Sequence, residues 1–108
     1  MDAPAYHFYL EIVAPGCPLR QVYLPAGRVI VGRSPHSCAF VVGDRRVSRV
    51  HLQIRNDIGV TVADLYSANG STLAGQPLPS GTIMHWLLDQ VVTIGHSYLV
   101  LRYGQIEE

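Results

Sequence analysis

Short segments rich in β-branched residues recur along this chain at intervals of about 8–12 residues, and this spacing restricts the possible folds most strongly. Glycine and proline separate the segments. Turns are expected at residues 14–18, 25–27, 56–59, 79–81 and 95–96. No stretch shows the apolar periodicity of an amphipathic helix. The pattern predicts an all-β sandwich or barrel without significant helix.

The strands near the N-terminus are predicted from alternation and from β-branched runs. In the segment from Tyr6 to Val13, Phe8, Leu10 and Ile12 alternate with polar residues, which is typical of a half-buried strand. The run 28–31 precedes Gly32 and is expected to be buried on both faces. Further strands are predicted at 20–24, 39–42, 50–54 and 60–65, with short edge pieces at 71–74 and 75–78.

The C-terminal part of the chain predicts a closing hairpin. Residues 90–94 and 97–103 are separated by a glycine turn, and the core face of the second strand is expected to carry Leu99, Leu101 and Tyr103. The apolar segment 82–88 lacks a clear period and is predicted as a strand. We expect one domain over residues 1–108, with a core from about 6 to 103 and loose termini at Met1–Ala5 and Gly104–Glu108.

The composition excludes several classes of function. Of the 108 residues 48% are hydrophobic and only 15% are charged, which is typical of a packed domain. Eight basic and eight acidic residues give a formal net charge of zero, so nucleic-acid binding is not expected. The five histidines lack the spacing of metal ligands, and we expect neither a metal nor another cofactor.

The cellular setting is predicted from the cysteines and from the hydropathy of the chain. Cys17 and Cys38 show no paired spacing, and no secretory signal is recognised, so a reducing cytoplasm is expected. No apolar run approaches the roughly 20 residues that a membrane helix needs. Direct membrane contact by this domain is therefore not expected, and the chain is expected to be part of a larger protein.

Polar residues are concentrated in three predicted loops. The densest is 44–51, which contains three arginines together with Ser48 and His51. A second loop begins at Gly32-Arg33-Ser34, and a third spans Asp64 to Ser71. If the strands bring these loops to one end of a sandwich, their guanidinium, hydroxyl and amide donors form an anion site. The best-matched anion is a phosphate carried by a peptide.

In combination, these three loops resemble the forkhead-associated (FHA) domain. The matching pieces are Gly32-Arg33, the run from Ser48 to His51, and the run from Asp64 to Gly70. The resemblance extends from about Tyr6 to Tyr103. It implies a β-sandwich of about eleven mostly antiparallel strands whose loops at one end bind phosphothreonine in a protein or peptide, as part of signalling.

The resemblance also assigns roles to residues that would contact the ligand. Arg33 and Ser48 match the positions that bind the phosphate. Ser34 lies in the same loop as Arg33 and is also expected to contact the ligand. Arg49 matches a position facing the phosphate or the peptide backbone. Arg46 matches the position that senses the third residue after the phosphothreonine, where an arginine favours an acidic side chain.

Other residues of the motif concern the peptide main chain and the support of the loops. Asn69 is expected both to close a turn and to hydrogen-bond the peptide main chain. Ala68 departs from the family, which often has threonine or serine there; its lost hydroxyl suggests weaker binding or a contact shifted to Ser67 or Ser71. The residues expected to support the binding loops are Gly32, His51, Asp64 and Gly70.

Two other readings of the sequence remain open. The first is an FHA-like scaffold for phosphate-independent assembly or dimerisation. This hypothesis is based on Ala68 and on the apolar character of the chain, including Tyr66 and Trp86. The second is a small serine hydrolase using Ser48 and His51. The chain has no G-x-S-x-G elbow and no helix is predicted after Ser48, which argues against catalysis. We therefore expect no catalytic residue.

Overall fold

The structure is a computed structural model that describes residues 6–106, and it consists of strands, turns and loops. Within residues 6–106 there is no helix. The eleven strands are β1 (His7–Val13), β2 (Arg20–Tyr23), β3 (Gly27–Gly32), β4 (Phe40–Val41), β5 (Leu52–Asp57), β6 (Gly59–Asp64), β7 (Ser71–Leu73), β8 (Gln76–Pro77), β9 (Met84–His85), β10 (Val91–Ile94) and β11 (Ser97–Gly104).

The strands form two sheets. One has six strands in the order β2-β1-β11-β10-β7-β8, and the other has five in the order β4-β3-β5-β6-β9. β3 and β4 are parallel, whereas the other neighbouring strands are antiparallel. The prediction of an all-β sandwich of about eleven mostly antiparallel strands is confirmed.

Apolar side chains of both sheets fill the space between them. In β1, Leu10 and Ile12 are almost completely buried and Phe8 packs at the margin, so the predicted face of this strand is correct. Leu10 lies opposite Leu101 and Ile12 opposite Leu99 in the register of β1 and β11. Hydrophobic burial along this long central pair contributes strongly to the stability of the sandwich.

Three details of the predicted strands are wrong. Tyr103 does not belong to the core, because it is 56% exposed, although its ring packs against Phe8 with a centroid distance of 5.1 Å. β3 is not buried on both faces, since Arg28 is exposed and Ile30 is only half-buried. In the segment 82–88 only Met84–His85 forms a strand.

Three non-glycine residues adopt the left-handed conformation, namely Tyr66 in the β6–β7 loop and the turn residues Ala74 and Asp89. Ala74 and Gly75 have φ values of 51° and 81° and connect β7 to β8, which is the geometry of a tight hairpin turn that favours Asn-Gly. Asp89 has a φ of 68°, and its carboxylate accepts a hydrogen bond of 2.6 Å from Arg102. Residue 89 thus has a backbone conformation that suits glycine.

The strand directions place the three polar loops at one end of the sandwich. β5 is antiparallel to both β3 and β6, so the end of β3 at Gly32, the start of β5 at Leu52 and the end of β6 at Asp64 are adjacent. The tight β5–β6 turn lies at the opposite end, with Ile58 93% exposed at its tip.

The described residues end just beyond the sandwich. Gly104 is the last residue of β11, and the amide of Ile106 donates a hydrogen bond of 3.0 Å to the hydroxyl of Tyr23. Met1–Ala5 and residues 107–108, which belong to the predicted loose termini, lie outside the described range. Residues 6–106 contain no helix that is long and apolar enough to span a membrane.

Candidate functional site

The loop after β3 is hydrogen-bonded to the loop before β5. The amide of Arg33 donates to the carbonyl oxygen of Ser48 at 3.0 Å, and the amide of Ser34 donates to the carbonyl oxygen of Arg49 at 3.1 Å. These two bonds extend the pairing of the strands into the loops. The structure therefore brings together four of the residues that the sequence assigns to ligand contact.

The loop between β6 and β7 joins the same cluster. The amide of Ala68 donates to the hydroxyl oxygen of Ser48 at 2.9 Å, and the side-chain amide of Asn69 donates to the carbonyl oxygen of Arg46 at 2.8 Å. The Ser48 hydroxyl accepts this bond, so its own proton is free to be donated outward. All seven sequence-predicted contact residues thus lie in one hydrogen-bonded group of three loops.

The Arg33 guanidinium is partly fixed by the protein. Its Nε donates to the carbonyl oxygen of Val47 at 3.0 Å, and the side chain is exposed. Among the described residues, its two terminal nitrogens have no hydrogen-bond or ion-pair partner. One side of the guanidinium is held while the other presents a pair of donors to solvent.

Gly32 is required by the close approach of two backbones. A Cβ atom at this position would lie 2.3 Å from the carbonyl oxygen of Arg49 and 2.9 Å from the sulfur of Cys38. That sulfur donates to the same carbonyl oxygen at 3.0 Å, and burial raises the pKa of the Cys38 thiol. The glycine therefore allows the β3 end to lie directly against the loop that carries Ser48.

His51 is completely buried and connects two loops through its ring. Its Nδ1 accepts a hydrogen bond of 3.0 Å from the amide of Ser48, so the proton is on Nε2. Nε2 lies 3.0 Å from the carbonyl oxygen of Gly70 and 3.1 Å from the hydroxyl of Ser71. Burial lowers the pKa of His51 below its ordinary value, although the Gly70 carbonyl and the nearby Asp64 charge oppose this shift.

The buried carboxylate of Asp64 organises the β6–β7 loop. It accepts hydrogen bonds from the amide and the hydroxyl of Ser67, and from the hydroxyls of Ser71 and Ser80. Burial alone would raise the pKa of Asp64, but these donors outweigh it and hold the pKa below its ordinary value. The loop is thus built around a charged group that its own serines satisfy.

The hydrogen bonds of Ser67 and Ser71 show whether either hydroxyl is available to replace the one missing at Ala68. Ser67 Oγ donates to Asp64 at 2.6 Å and accepts from the amide of Gly70 at 3.0 Å. Ser71 is buried, and its hydroxyl also donates to Asp64. Both hydroxyls face the interior, so the expected shift of the contact to Ser67 or Ser71 does not fit this geometry.

Sequence reasoning missed the role of Asp44. This carboxylate is 6% exposed and accepts hydrogen bonds from the amides of Arg46 and His96 and from the hydroxyl of Ser97, at 2.7–2.9 Å. Burial would raise the pKa of Asp44, but these donors hold it below its ordinary value. Asp44 thereby attaches the loop before β5 to the β10–β11 turn.

The charges at this end of the sandwich are mainly positive. Arg33, Arg45, Arg46 and Arg49 are exposed, and none of them forms an ion pair with the described residues. The ion pairs of the arginines lie elsewhere, between Arg102 and two carboxylates and between residues 55 and 57. The buried carboxylates of Asp44 and Asp64 partly offset this positive charge.

A groove begins beside the three loops. It has a volume of about 550 Å³, and Arg46, Asn69, Thr93 and His96 are among its lining residues. It continues toward the β8–β9 connection at Pro79. The groove therefore adjoins the loops that carry Arg46 and Asn69.

The geometry of Ser48 and His51 differs from that of a serine hydrolase. The His51 ring contacts the backbone amide of Ser48, and no hydrogen bond joins the ring to the Ser48 hydroxyl. The other ring nitrogen faces the buried groups of Gly70 and Ser71. Among residues 6–106, no group of three or more His, Cys, Asp or Glu side chains is arranged to hold a metal ion.

Comparison with known proteins identifies the family of this arrangement. The model of the FHA domain family matches residues 29–94, which is more than half of the chain. The chain is also 34% identical over 77 residues to the protein phosphatase 1 regulatory inhibitor subunit PPP1R8 homolog of Arabidopsis thaliana. That match covers 69% of this chain and 21% of the plant protein, so the chain spans about a fifth of that relative's length.

Two solved structures with the same fold are also FHA domains. The FhaA FHA domain, crystallised with the intracellular domain of Rv3910, is 31% identical with a TM-score of 0.77, covering 88% of this chain and 99% of that chain. An FHA domain from a study of phosphothreonine-dependent FHA domain interactions is 29% identical with a TM-score of 0.76, covering 91% and 99%. With its β-sandwich, its three joined loops and these matches, the chain belongs to the FHA domain family, whose members bind phosphopeptides in signalling.

Proposed function

We propose that this chain is a phosphothreonine-dependent module that binds a protein or peptide in signalling or regulated assembly, without changing it chemically. The observation that carries the proposal is the hydrogen-bonded cluster formed by the loops of Arg33, Ser48 and Ala68. It sets an arginine fork and a serine hydroxyl close together in a part of the surface with no neutralising ion pair among the described residues. This arrangement suits a small dianion.

The chemistry of phosphothreonine matches these donors. The group carries about −1.5 to −2 charges near neutral pH and has three strong acceptor oxygens. The terminal nitrogens of Arg33 supply a planar pair of donors, and Ser48 supplies a hydroxyl proton. Arg49 adds a second exposed guanidinium. Arg33 is therefore assigned as the main phosphate contact, with Ser48 and Arg49 as further contacts.

The peptide chain itself is assigned to the neighbouring residues. Asn69 uses one amide hydrogen on the carbonyl of Arg46, which leaves its carbonyl oxygen and its second amide hydrogen for a ligand main chain. Arg46 lines the adjacent groove. We assign it to an acidic side chain at the third residue after the phosphothreonine, and Ser34 to the wall of the phosphate site.

The proposal is tested with a degenerate peptide library that contains one fixed phosphothreonine, and with the same library unphosphorylated. Charge-assisted hydrogen bonds contribute about 1.5–3 kcal/mol each, so Arg33→Ala should weaken phosphopeptide binding roughly 10- to 150-fold while the protein stays folded. Arg28→Ala is the matched control, because this exposed arginine lies at the other end of β3. If the Arg33→Ala protein bound the library as well as wild type, the assigned site would be wrong.

A phosphate-independent scaffold is the second candidate function. Trp86 gives it no support, because this side chain is only 2% exposed. Exposed apolar side chains do occur beyond the phosphate-site loops, at Ile58, Leu87, Leu88 and Tyr103. Phosphatase treatment of a captured partner separates the two functions, since only phosphothreonine-dependent binding is lost.

We propose that the domain acts in the cytoplasm. Cys17 and Cys38 are both free thiols, and a reducing compartment maintains thiols in this state. Imaging of the tagged parent protein in living cells tests this assignment. A tag confined to an oxidising compartment would contradict it.

A further inference from the structure

A second basic cleft is lined by Arg46, and Asn69 is not among its lining residues. It has a volume of about 400 Å³ and is lined by Pro15, Gly43, Asp44, Arg45, Arg46 and His96. Arg46 and His96 also line the groove beside the phosphate-site loops. The two cavities are therefore neighbours that share one wall.

The cationic groups of this cleft form no hydrogen bond or ion pair within residues 6–106. Arg45 and Arg46 are exposed, and their guanidinium groups make no hydrogen bond or ion pair with residues 6–106. The side chain of His96 is exposed beside them. Two free guanidinium groups on consecutive residues, next to an imidazole, form a donor set suited to a second anion.

The carboxylate of Asp44 is the acidic group of the cleft, and it does not occupy the arginines. It is 6% exposed, and its two oxygens accept from the amides of Arg46 and His96 and from the hydroxyl of Ser97. Its charge reduces the positive potential of the cleft. At the same time it fixes the backbone of both Arg46 and His96, so the two sides of the cleft are held by one group.

We propose that the cleft between Arg45, Arg46 and His96 binds a second phosphate of a doubly phosphorylated peptide whose first phosphate occupies the site at Arg33 and Ser48. This inference rests on the proposed function and extends it from one phosphate to two. The continuity of the two cavities at Arg46 allows a single extended chain to reach both. The pair of arginine forks favours the several oxygens of a phosphate over the two oxygens of a carboxylate.

The experiment uses degenerate peptide pools with one fixed phosphothreonine. In further pools a phosphoserine, or a glutamate for comparison, is added at each of several spacings on either side. Binding is measured by fluorescence anisotropy for the wild type, Arg45→Gln and His96→Ala. Arg28→Gln serves as the control, because it removes the same charge from the far end of β3.

At the matching spacing, the second phosphate should tighten binding by the wild type about fivefold, which is the size expected for a partly exposed charged contact. Arg45→Gln should bind the singly phosphorylated pool like the wild type, and both Arg45→Gln and His96→Ala should lose most of this gain. Arg28→Gln should retain it. Glutamate should give a smaller gain than phosphoserine.

Several results would overturn the inference. One is the absence of any gain at every spacing, and another is a full gain in Arg45→Gln. An equal loss of the gain in Arg28→Gln would reduce the effect to general attraction between a peptide and a basic surface. Failure of the proposed function looks different, because the wild type would then bind the singly phosphorylated pool no better than the unphosphorylated one; that result would overturn both proposals.

Discussion

The hydroxyl of Ser48 accepts a hydrogen bond of 2.9 Å from the amide of Ala68, which links two loops twenty residues apart in the sequence. The side chain of residue 68 is exposed beside this bond and offers only a methyl group. The serines nearby, at positions 67 and 71, direct their hydroxyls toward Asp64. Residue 68 is therefore the place where the proposed site lacks a donor.

Ala68→Thr should strengthen phosphopeptide binding, because the new hydroxyl can reach a ligand from an exposed position without disturbing the Ala68 amide. A hydrogen bond to a neutral group contributes about 0.5–1.5 kcal/mol, so a gain of about two- to tenfold is expected. Titration calorimetry with the fixed-phosphothreonine library measures it. Ala68→Val adds similar bulk without a hydroxyl and serves as the control; an equal gain in both variants would contradict the explanation.

Asn69→Ala should weaken phosphopeptide binding by less than Arg33→Ala. The asparagine is assigned to the neutral main chain of the peptide, whereas the arginine is assigned to its charged phosphate. The substitution also removes the bond from Asn69 to the carbonyl of Arg46, so thermal unfolding must be measured in parallel. If a fully folded Asn69→Ala protein lost more phosphopeptide affinity than Arg33→Ala, the assignment of Arg33 as the main contact would be contradicted.

Gly32→Ala should destabilise the fold, because its Cβ would lie 2.3 Å from the carbonyl oxygen of Arg49. Two backbones would have to separate, and we expect a loss of about 2 kcal/mol or more in the free energy of unfolding. Denaturant titration measures the loss. Gly43→Ala is the matched control, since nothing lies within 4 Å of its added Cβ and its φ is not left-handed. Similar losses in both variants would argue against the clash.

The stability of the domain should decrease as the pH falls below about 6.5, the ordinary pKa of histidine. Burial lowers the pKa of His51, so the unfolded chain binds a proton in this window while the folded chain does not. Stability therefore rises with pH there and is lost toward the lowered pKa. The free energy of unfolding, measured from pH 7.5 to 5.5, should show a weaker slope in His51→Gln, because the other four histidines remain. An unchanged slope would contradict this role.

The carboxylates of Asp44 and Asp64 act in a lower pH window. Their pKa values are lowered in the folded state, so their contribution is present above the ordinary value of about 3.9 and is lost below it. The measurement between pH 7.5 and 5.5 thus separates the effect of the histidines from that of these carboxylates.

Ala74→Asn should stabilise the domain. Ala74 has a φ of 51° in the β7–β8 turn, which costs a residue with a Cβ atom about 1–2 kcal/mol, and asparagine tolerates this conformation better. We expect a gain of about 0.5–1 kcal/mol and a rise of a few degrees in Tm. Ala26→Asn is the control, since Ala26 is exposed and its φ is not left-handed. Equal gains would exclude the turn conformation as the cause.

The sequence predicted the fold well, and it predicted which polar loops lie together, for a local reason. Turns formed by glycine and proline separate the strands, and alternation identified the buried face that includes Leu10 and Ile12. The polar loops follow directly from strand ends, so the antiparallel pairing of β3, β5 and β6 brings Arg33 and Ser48 together.

What the sequence did not predict depends on contacts between distant segments. Asp44 resembles an ordinary turn residue, and only its hydrogen bond to Ser97, 53 residues away, makes it a buried anchor. Tyr103 alternates with Leu99 and Leu101 along β11 as expected, but it is exposed. The period gives the face of a residue, but it does not tell how far the other sheet extends to cover it.

The ring of His51 holds the Ser48 amide on one side and the Gly70 carbonyl on the other, so the spacing of two binding loops is set before a ligand arrives. Little rearrangement should then accompany association, and the ordering entropy lost on binding should be small. We therefore expect encounter to be governed by diffusion and by long-range attraction to the arginines, so that added salt slows the association rate more than it changes the lifetime of the complex.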